Sequence, residues 1–177
     1  LYIRTDQELL SEIKCLQQRA TFHILQEYAR SGVFKQIILV DNSSVGDIVG
    51  EVSIVDYYDR INQTIVPIIH FINVFDNSRP VVSSFYSFSD TSRIRTVGIV
   101  DIDSGEEKML FSLDNVTESR YYYAIGGKSL KEDASLNNTI RSQTKEKNGR
   151  TSFGIFETSY DDNFCYSLVC SREIAEF

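Results

Sequence analysis

The 177 residues predict an α+β domain in which a long N-terminal helix and smaller helices pack on an antiparallel sheet. Three observations carry this expectation. Up to Phe71, apolar side chains recur at the three- and four-residue intervals of a helix face. From Ile72 onward the pattern turns to short β-rich runs separated by Asn, Asp, Ser and Gly. A hydrophobic content of 42% over this length supplies one well-buried core, so residues 1–177 read as a single domain. It divides into a long helix (1–32), a helical region (33–71) and the sheet (72–177), with a flap over 128–148.

Thr5-Asp6-Gln7-Glu8 has the form of a capping box, in which hydroxyl and carboxylate satisfy each other's backbone N–H groups. The helix that it starts carries Leu9, Ile13, Leu16, Ala20 and Ile24 as its expected core stripe and stops at Gly32, about seven turns later. Val33 to Val40 is too short for periodicity to decide between a strand and a buried helix. Asp41-Asn42-Ser43-Ser44 is turn chemistry and a candidate cap for a short segment through Val49. Asp56 is a candidate cap for a second helix, with Tyr57, Ile61, Thr64 or Ile65, and Ile68 on one face up to Phe71; Pro67 argues for a kink or restart.

In the sheet region, Ile72 to Phe75 and Val81 to Phe88 read as one hairpin, and Thr96 to Ile102 with Lys108 to Leu113 as a second. Asp101, Asp103 and Glu106 offer carboxylates for calcium, but the full twelve-residue EF-hand loop is absent and turn roles are the simpler reading. Lys128 to Lys147 is polar and reads as the flap. Thr151 to Glu157 and Phe164 to Ser171 read as a closing antiparallel pair, with Phe164, Tyr166, Leu168 and Cys170 on one face.

Composition excludes several function classes. A formal net charge of −7 opposes nucleic-acid and anionic-membrane partners, which reward clustered cations. No apolar run approaches the ~20 residues of a membrane span. Cys15, Cys165 and Cys170 form no CxxC and read as buried thiols, although Cys15 with either of the others is open in an oxidising compartment. His23 and His70 are lone histidines, so no metal is assigned and no cofactor is implied. No G-x-S-x-G, P-loop or H-E-x-x-H occurs, and the fragment is therefore expected not to be an enzyme. Sequons stand at Asn42, Asn62, Asn115 and Asn137.

The candidate binding site centres on Arg120-Tyr121-Tyr122-Tyr123-Ala124-Ile125-Gly126-Gly127. Arg120 presents a planar fork suited to a carboxylate, Tyr122 and Tyr123 supply an aromatic wall and a donor, and Asp161 or Asp162 receives a ligand cation. This stretch is similar to the Arg-x-Trp-Tyr-x-x-Ala pattern of the extracytoplasmic Cache sensor domains of bacterial receptors. Tyr122 stands where that family has Trp, and Asn115 where its amino-acid binders carry Tyr. The resemblance implies a PAS-like sheet and a small-molecule ligand, most like the outer domains of Gram-positive sensor histidine kinases. It also implies membrane spans flanking the fragment, an extracytoplasmic location and a role in signal transduction, and it leaves room for a homodimer. The alternative is a non-enzymatic interaction or structural module, such as a glycosylated ectodomain or a viral or phage assembly protein.

Overall fold

The computed structural model describes residues 1–132, 134–147 and 149–176. In chain order the elements are β1 (Tyr2–Arg4), a 3₁₀ turn (Gln7–Leu9), α1 (Glu12–Arg30), β2 (Ile37–Asp41), α2 (Asn42–Val49), α3 (Tyr57–Asp76) and β3 (Val82–Ser83). There follow β4 (Ile94–Val100), β5 (Glu107–Met109), β6 (Val116–Gly126), α4 (Gly127–Glu132), α5 (Leu136–Glu146), β7 (Arg150–Thr158) and β8 (Phe164–Ser171). Helices and one sheet are both present, as expected. The sheet is not the antiparallel PAS-like one. Its order is β1-β2-β4-β8-β6-β7-β3 with β5 on β4, and β1–β2, β2–β4 and β6–β7 are parallel.

The difference arises from the connections. α1 carries the chain from β1 to β2, and α4 with α5 carries it from β6 to β7, so each neighbouring strand is re-entered in the same direction. The stretch expected to be a flap is thus a crossover layer: Leu136 and Ile140 of α5 pack with Tyr121, Tyr123 and Phe153 on the sheet. Positions 133 and 148 of that stretch lie outside the described residues. β7 and β8 do not pair with each other as expected, because β6 lies between them, parallel to β7 and antiparallel to β8.

Helices cover both faces. Alternation along the strands sends Ile38, Val40, Val97, Tyr122 and Leu168 towards α2 and α3, and sends Ile37, Leu39 and Ile94 towards α1 and Tyr121, Tyr123 and Val100 towards α5. β6 is therefore buried on both sides.

α3 buries Ile61, Ile65, Ile68, Ile72 and Phe75. This stripe continues at three- and four-residue spacing beyond Phe71, so Ile72 to Phe75 is the last turn of the helix and not the first strand of a hairpin. Pro67 sits inside α3, and the bond it removes is offset by burial of these large side chains at roughly 1.5–3 kcal/mol each. α1 differs more from expectation. It starts at Glu12 after Ser11, and the Thr5 hydroxyl accepts from Gln18 Nε2 at 2.8 Å instead of closing a capping box. Its buried face is Phe22, Gln26 and Ala29, whereas Ile13 (72%), Leu16 (68%) and Ile24 (52%) of the expected stripe are exposed. Phe22 packs between the rings of Tyr2 and Phe111, and Gln26 exchanges two hydrogen bonds with the Ala175 backbone, which fixes that face inward.

The β4–β5 hairpin forms as expected, with Gly98 opposite Met109. Asp101 accepts from the backbone N–H and the hydroxyl of Ser104, both at 2.7 Å, and these bonds hold its carboxyl below the ordinary carboxylate range. It acts as a turn residue. Cys165 and Cys170 are buried free thiols and Cys15 is half-buried and free.

Candidate functional site

Because β1 and β2 are parallel, their carboxyl ends open on the same side of the sheet. A cavity of about 740 Å³ lies there. The chain leaves β1 through Thr5 to Glu8, which line it, leaves β2 at Asp41 directly into α2, and returns through the α2–α3 loop to Tyr57 and Tyr58, which line it too. Val-Asp-Asn supplies this geometry from sequence: an apolar strand ends in a buried carboxylate, and Asn42 starts the helix at once.

Two carboxylates organise the cavity. Asp41 accepts from Arg4 Nη2 at 2.7 Å and from the Ser44 hydroxyl at 3.3 Å, and the Arg4 guanidinium lies 4.8 Å over the Phe111 ring. Asp6 accepts from the Ser43 hydroxyl at 3.1 Å and from the Tyr57 phenol at 3.2 Å. Burial, and then the Asp6 charge beside it, push the Tyr57 phenol above its ordinary pKa, so it remains a donor. Tyr57 also packs close to Gly46, where a Cβ would stand 3.0 Å from its hydroxyl oxygen. Tyr58, 52% exposed, meets the Tyr57 ring edge-on at 5.3 Å.

Asn42, between two lining residues, buries a side-chain oxygen that has no hydrogen-bond partner among the described residues. In the loop at the mouth, Ile54 and Val55 are 94% and 90% exposed. An exposed ring and carboxylates with spare lone pairs suit a planar heteroaromatic ligand that presents N–H donors along one edge.

The residues singled out from the sequence lie elsewhere. On β6, Arg120 Nη1 donates to Asp76 at 3.1 Å, Nη2 donates to the Tyr86 carbonyl, and the guanidinium sits 4.7 and 4.2 Å over Phe85 and Phe88. The Tyr122 phenol donates to the same Asp76 oxygen at 2.7 Å. Arg120 and Tyr122 are thus brought together, with α3's last residue between them. Tyr123 faces the other side of the sheet, in the core under α5. Asp161 and Asp162 are exposed in the turn beside Gly126, six residues and about 20 Å along β6 from Arg120.

In the sequence Asp41 and Asn42 read as a turn and Tyr57 as one face of a helix, which leaves the cavity unmarked. The signal that could have found it is a strand ending in Asp-Asn at a helix start, followed by a pair of tyrosines at the next helix start.

No family model matches the chain, and no curated protein matches it by sequence. Solved structures do. The empty FtsZ dimer of M. jannaschii matches with a TM-score of 0.61 at 12% identity, over 95% of this chain and 53% of that chain. The GTPγS-form protofilament of Bacillus thuringiensis serovar israelensis TubZ matches with a TM-score of 0.56 at 15% identity, over 95% of this chain and 51% of that one. The GDP-form protofilaments of the same TubZ match with a TM-score of 0.57 at 15% identity, over 89% and 48%.

These matches overturn the Cache resemblance and what was drawn from it: the signal-transducing sensor function, the small-molecule ligand, the flanking spans, the homodimer and the extracytoplasmic location. The Arg-Tyr-Tyr-Tyr-Ala run that carried the resemblance is a central strand buried on both faces, which demands aromatic and apolar residues whatever the fold. The alternative of a glycosylated ectodomain or a viral or phage assembly protein is set aside on the same finding. Among the described residues no helix is long and apolar enough to cross a membrane. The chain spans about half the length of the solved structures it matches, and over that length it has the fold of FtsZ and TubZ.

Proposed function

We propose that this chain is part of a filament-forming subunit of the FtsZ and TubZ kind, and that the cavity at the ends of β1 and β2 holds the base of a guanine nucleotide. The observation that carries the reading is the shared fold over 95% of the chain with a TubZ protofilament in its GTPγS form, the same protein also forming GDP-form protofilaments. The position of the cavity supports it, since ligands of open α/β sheets bind in the crevice outside the carboxyl ends of the strands. The lining supports it too. Tyr58 offers its ring to the base, and Asp6 is an acceptor for the N–H edge that guanine presents.

The chain lacks a P-loop, and on this reading Tyr58 and Asp6 contribute to holding the base. The test is a titration of the protein with a fluorescent GTP analogue, followed by a pelleting assay for assembly. Wild type is expected to bind GTP in preference to ATP, and Tyr58→Ala to lose about 1–3 kcal/mol of that affinity, the usual worth of stacking a base on an aromatic ring. Equal affinity for GTP and ATP, or a Tyr58→Ala variant that binds as wild type does, would count against the assignment. Phosphate release followed in the same titration reads whether the protein also hydrolyses the nucleotide.

A further inference from the structure

Away from the nucleotide cavity, and independently of that reading, β3, the start of β7 and the C-terminal half of α5 bound a cleft of about 500 Å³. Phe153 and Val82 give it an apolar lining, Arg141, Lys145 and Lys147 give it cations, and no carboxylate lines it among the described residues. This concentration of positive charge stands out on a chain of net charge −7. Lys147 is engaged by Glu107 at 3.2 Å. Arg141 donates its Nε to Asn137 at 3.1 Å, and among the described residues neither it nor Lys145 has an ion pair.

The cleft adjoins an unpaired edge. β3 ends the sheet, pairs with β7 alone, and both of its residues are exposed. An exposed edge of this kind is a template for another strand, and alternate side chains of an added strand point to the same face.

We propose that β3 and this cleft receive an extended acidic segment of a partner protein, added as a further strand with its alternate carboxylates against Arg141 and Lys145. Main-chain hydrogen bonds along β3 supply the register, and the two cations select the sequence. A nucleic acid is a poor occupant, because it has no peptide N–H and C=O groups to pair with the edge of β3. The apolar lining and the strand edge favour a peptide over a bare anion.

The experiment is fluorescence anisotropy of a labelled peptide of alternating Glu and Val with the protein at low salt. Four further arms are an alternating Lys and Val peptide, the Glu-Val peptide N-methylated throughout so that it cannot add as a strand, inorganic phosphate as competitor, and the exposed-site double variant R141Q/K145Q. Expected is binding of the Glu-Val peptide, weakened about tenfold or more by R141Q/K145Q and by N-methylation, with no binding of the Lys-Val peptide and no displacement by phosphate. Undiminished binding to R141Q/K145Q, equal binding of the N-methylated peptide, displacement by phosphate, or no binding of the Glu-Val peptide each overturns the proposal.

Discussion

The two ends of α3 carry the same pair of groups in different surroundings. At its start Tyr57 donates to Asp6 at 3.2 Å beside an open cavity; at its end Asp76 accepts from Tyr122 at 2.7 Å beneath the sheet face. About 30 Å of helix separates them. At the first end the carboxylate has water and a large cavity next to it, so the Tyr–Asp bond can exchange for another partner at little cost. At the second, Tyr122 is fully buried and Arg120 is 12% exposed, so a phenol or guanidinium that loses Asp76 there has little water to turn to, although Asp76 itself is 37% exposed. The same Tyr–Asp pair borders an open cavity in one place and, joined there by Arg120, ties helix to sheet in the other.

The largest effect that tests this contrast is Arg120→Ala. It removes the ion pair to Asp76, the donor to the Tyr86 carbonyl and the contacts with Phe85 and Phe88, and is expected to lower unfolding stability by about 2–4 kcal/mol, a range below the deepest buried pairs because Asp76 itself reaches water. Urea denaturation measures it, and nucleotide affinity is expected to stay at the wild-type value. A variant that melts normally but no longer binds nucleotide would invert the assignment of the two ends.

Tyr122→Phe comes next, at about 1–1.5 kcal/mol for one lost buried hydrogen bond. It has a pH counterpart. Burial raises the phenols of Tyr121, Tyr122 and Tyr123 well above their ordinary value of 10.0. The unfolded chain loses these protons at ordinary pKa while the folded chain keeps them. The stability they contribute is therefore complete below pH 10 and lost as pH rises beyond it. In an alkaline titration followed by phenolate absorbance and circular dichroism together, these tyrosines are expected to ionise only as the fold is lost. Ionisation at ordinary pH without unfolding would mean that β6 is not sealed.

Much of this contrast was legible in the sequence at one end and not at the other. α3 could be read because Ile61, Ile65 and Ile68 fall on one stripe, and the stripe overruled Pro67. The face of α1 could not, since Ile13, Leu16 and Ile24 satisfy the helical period as well as Phe22, Gln26 and Ala29 do, and periodicity does not say which stripe meets the sheet. Arg120 and Tyr122 stood out as a cluster, but their partner Asp76 is more than forty positions away and was unforeseen. The cavity was hidden for the same reason: Arg4 meets Asp41, and Asp6 meets Tyr57, only because β1 and β2 are parallel neighbours, a pairing no local pattern encodes. Strand partners in the sheet failed likewise. The alternation along Phe164 to Ser171 put the right residues on each face while leaving open which strand lay alongside.

The smallest expected effect is the most discriminating. Tyr57→Phe deletes the same hydroxyl as Tyr122→Phe and leaves the ring packed on Gly46, yet Asp6 keeps its bond from Ser43 and gains water from the cavity. Its stability cost is expected to be within about 0.5 kcal/mol, the range of surface changes that strand no buried group. The two variants, measured side by side in urea, compare the same deleted hydroxyl at a carboxylate held by Ser43 beside a cavity and at one paired with Arg120. Equal costs would mean that the Asp6 end is held as tightly as the Asp76 end, so that the Tyr57–Asp6 bond does not exchange readily for another partner.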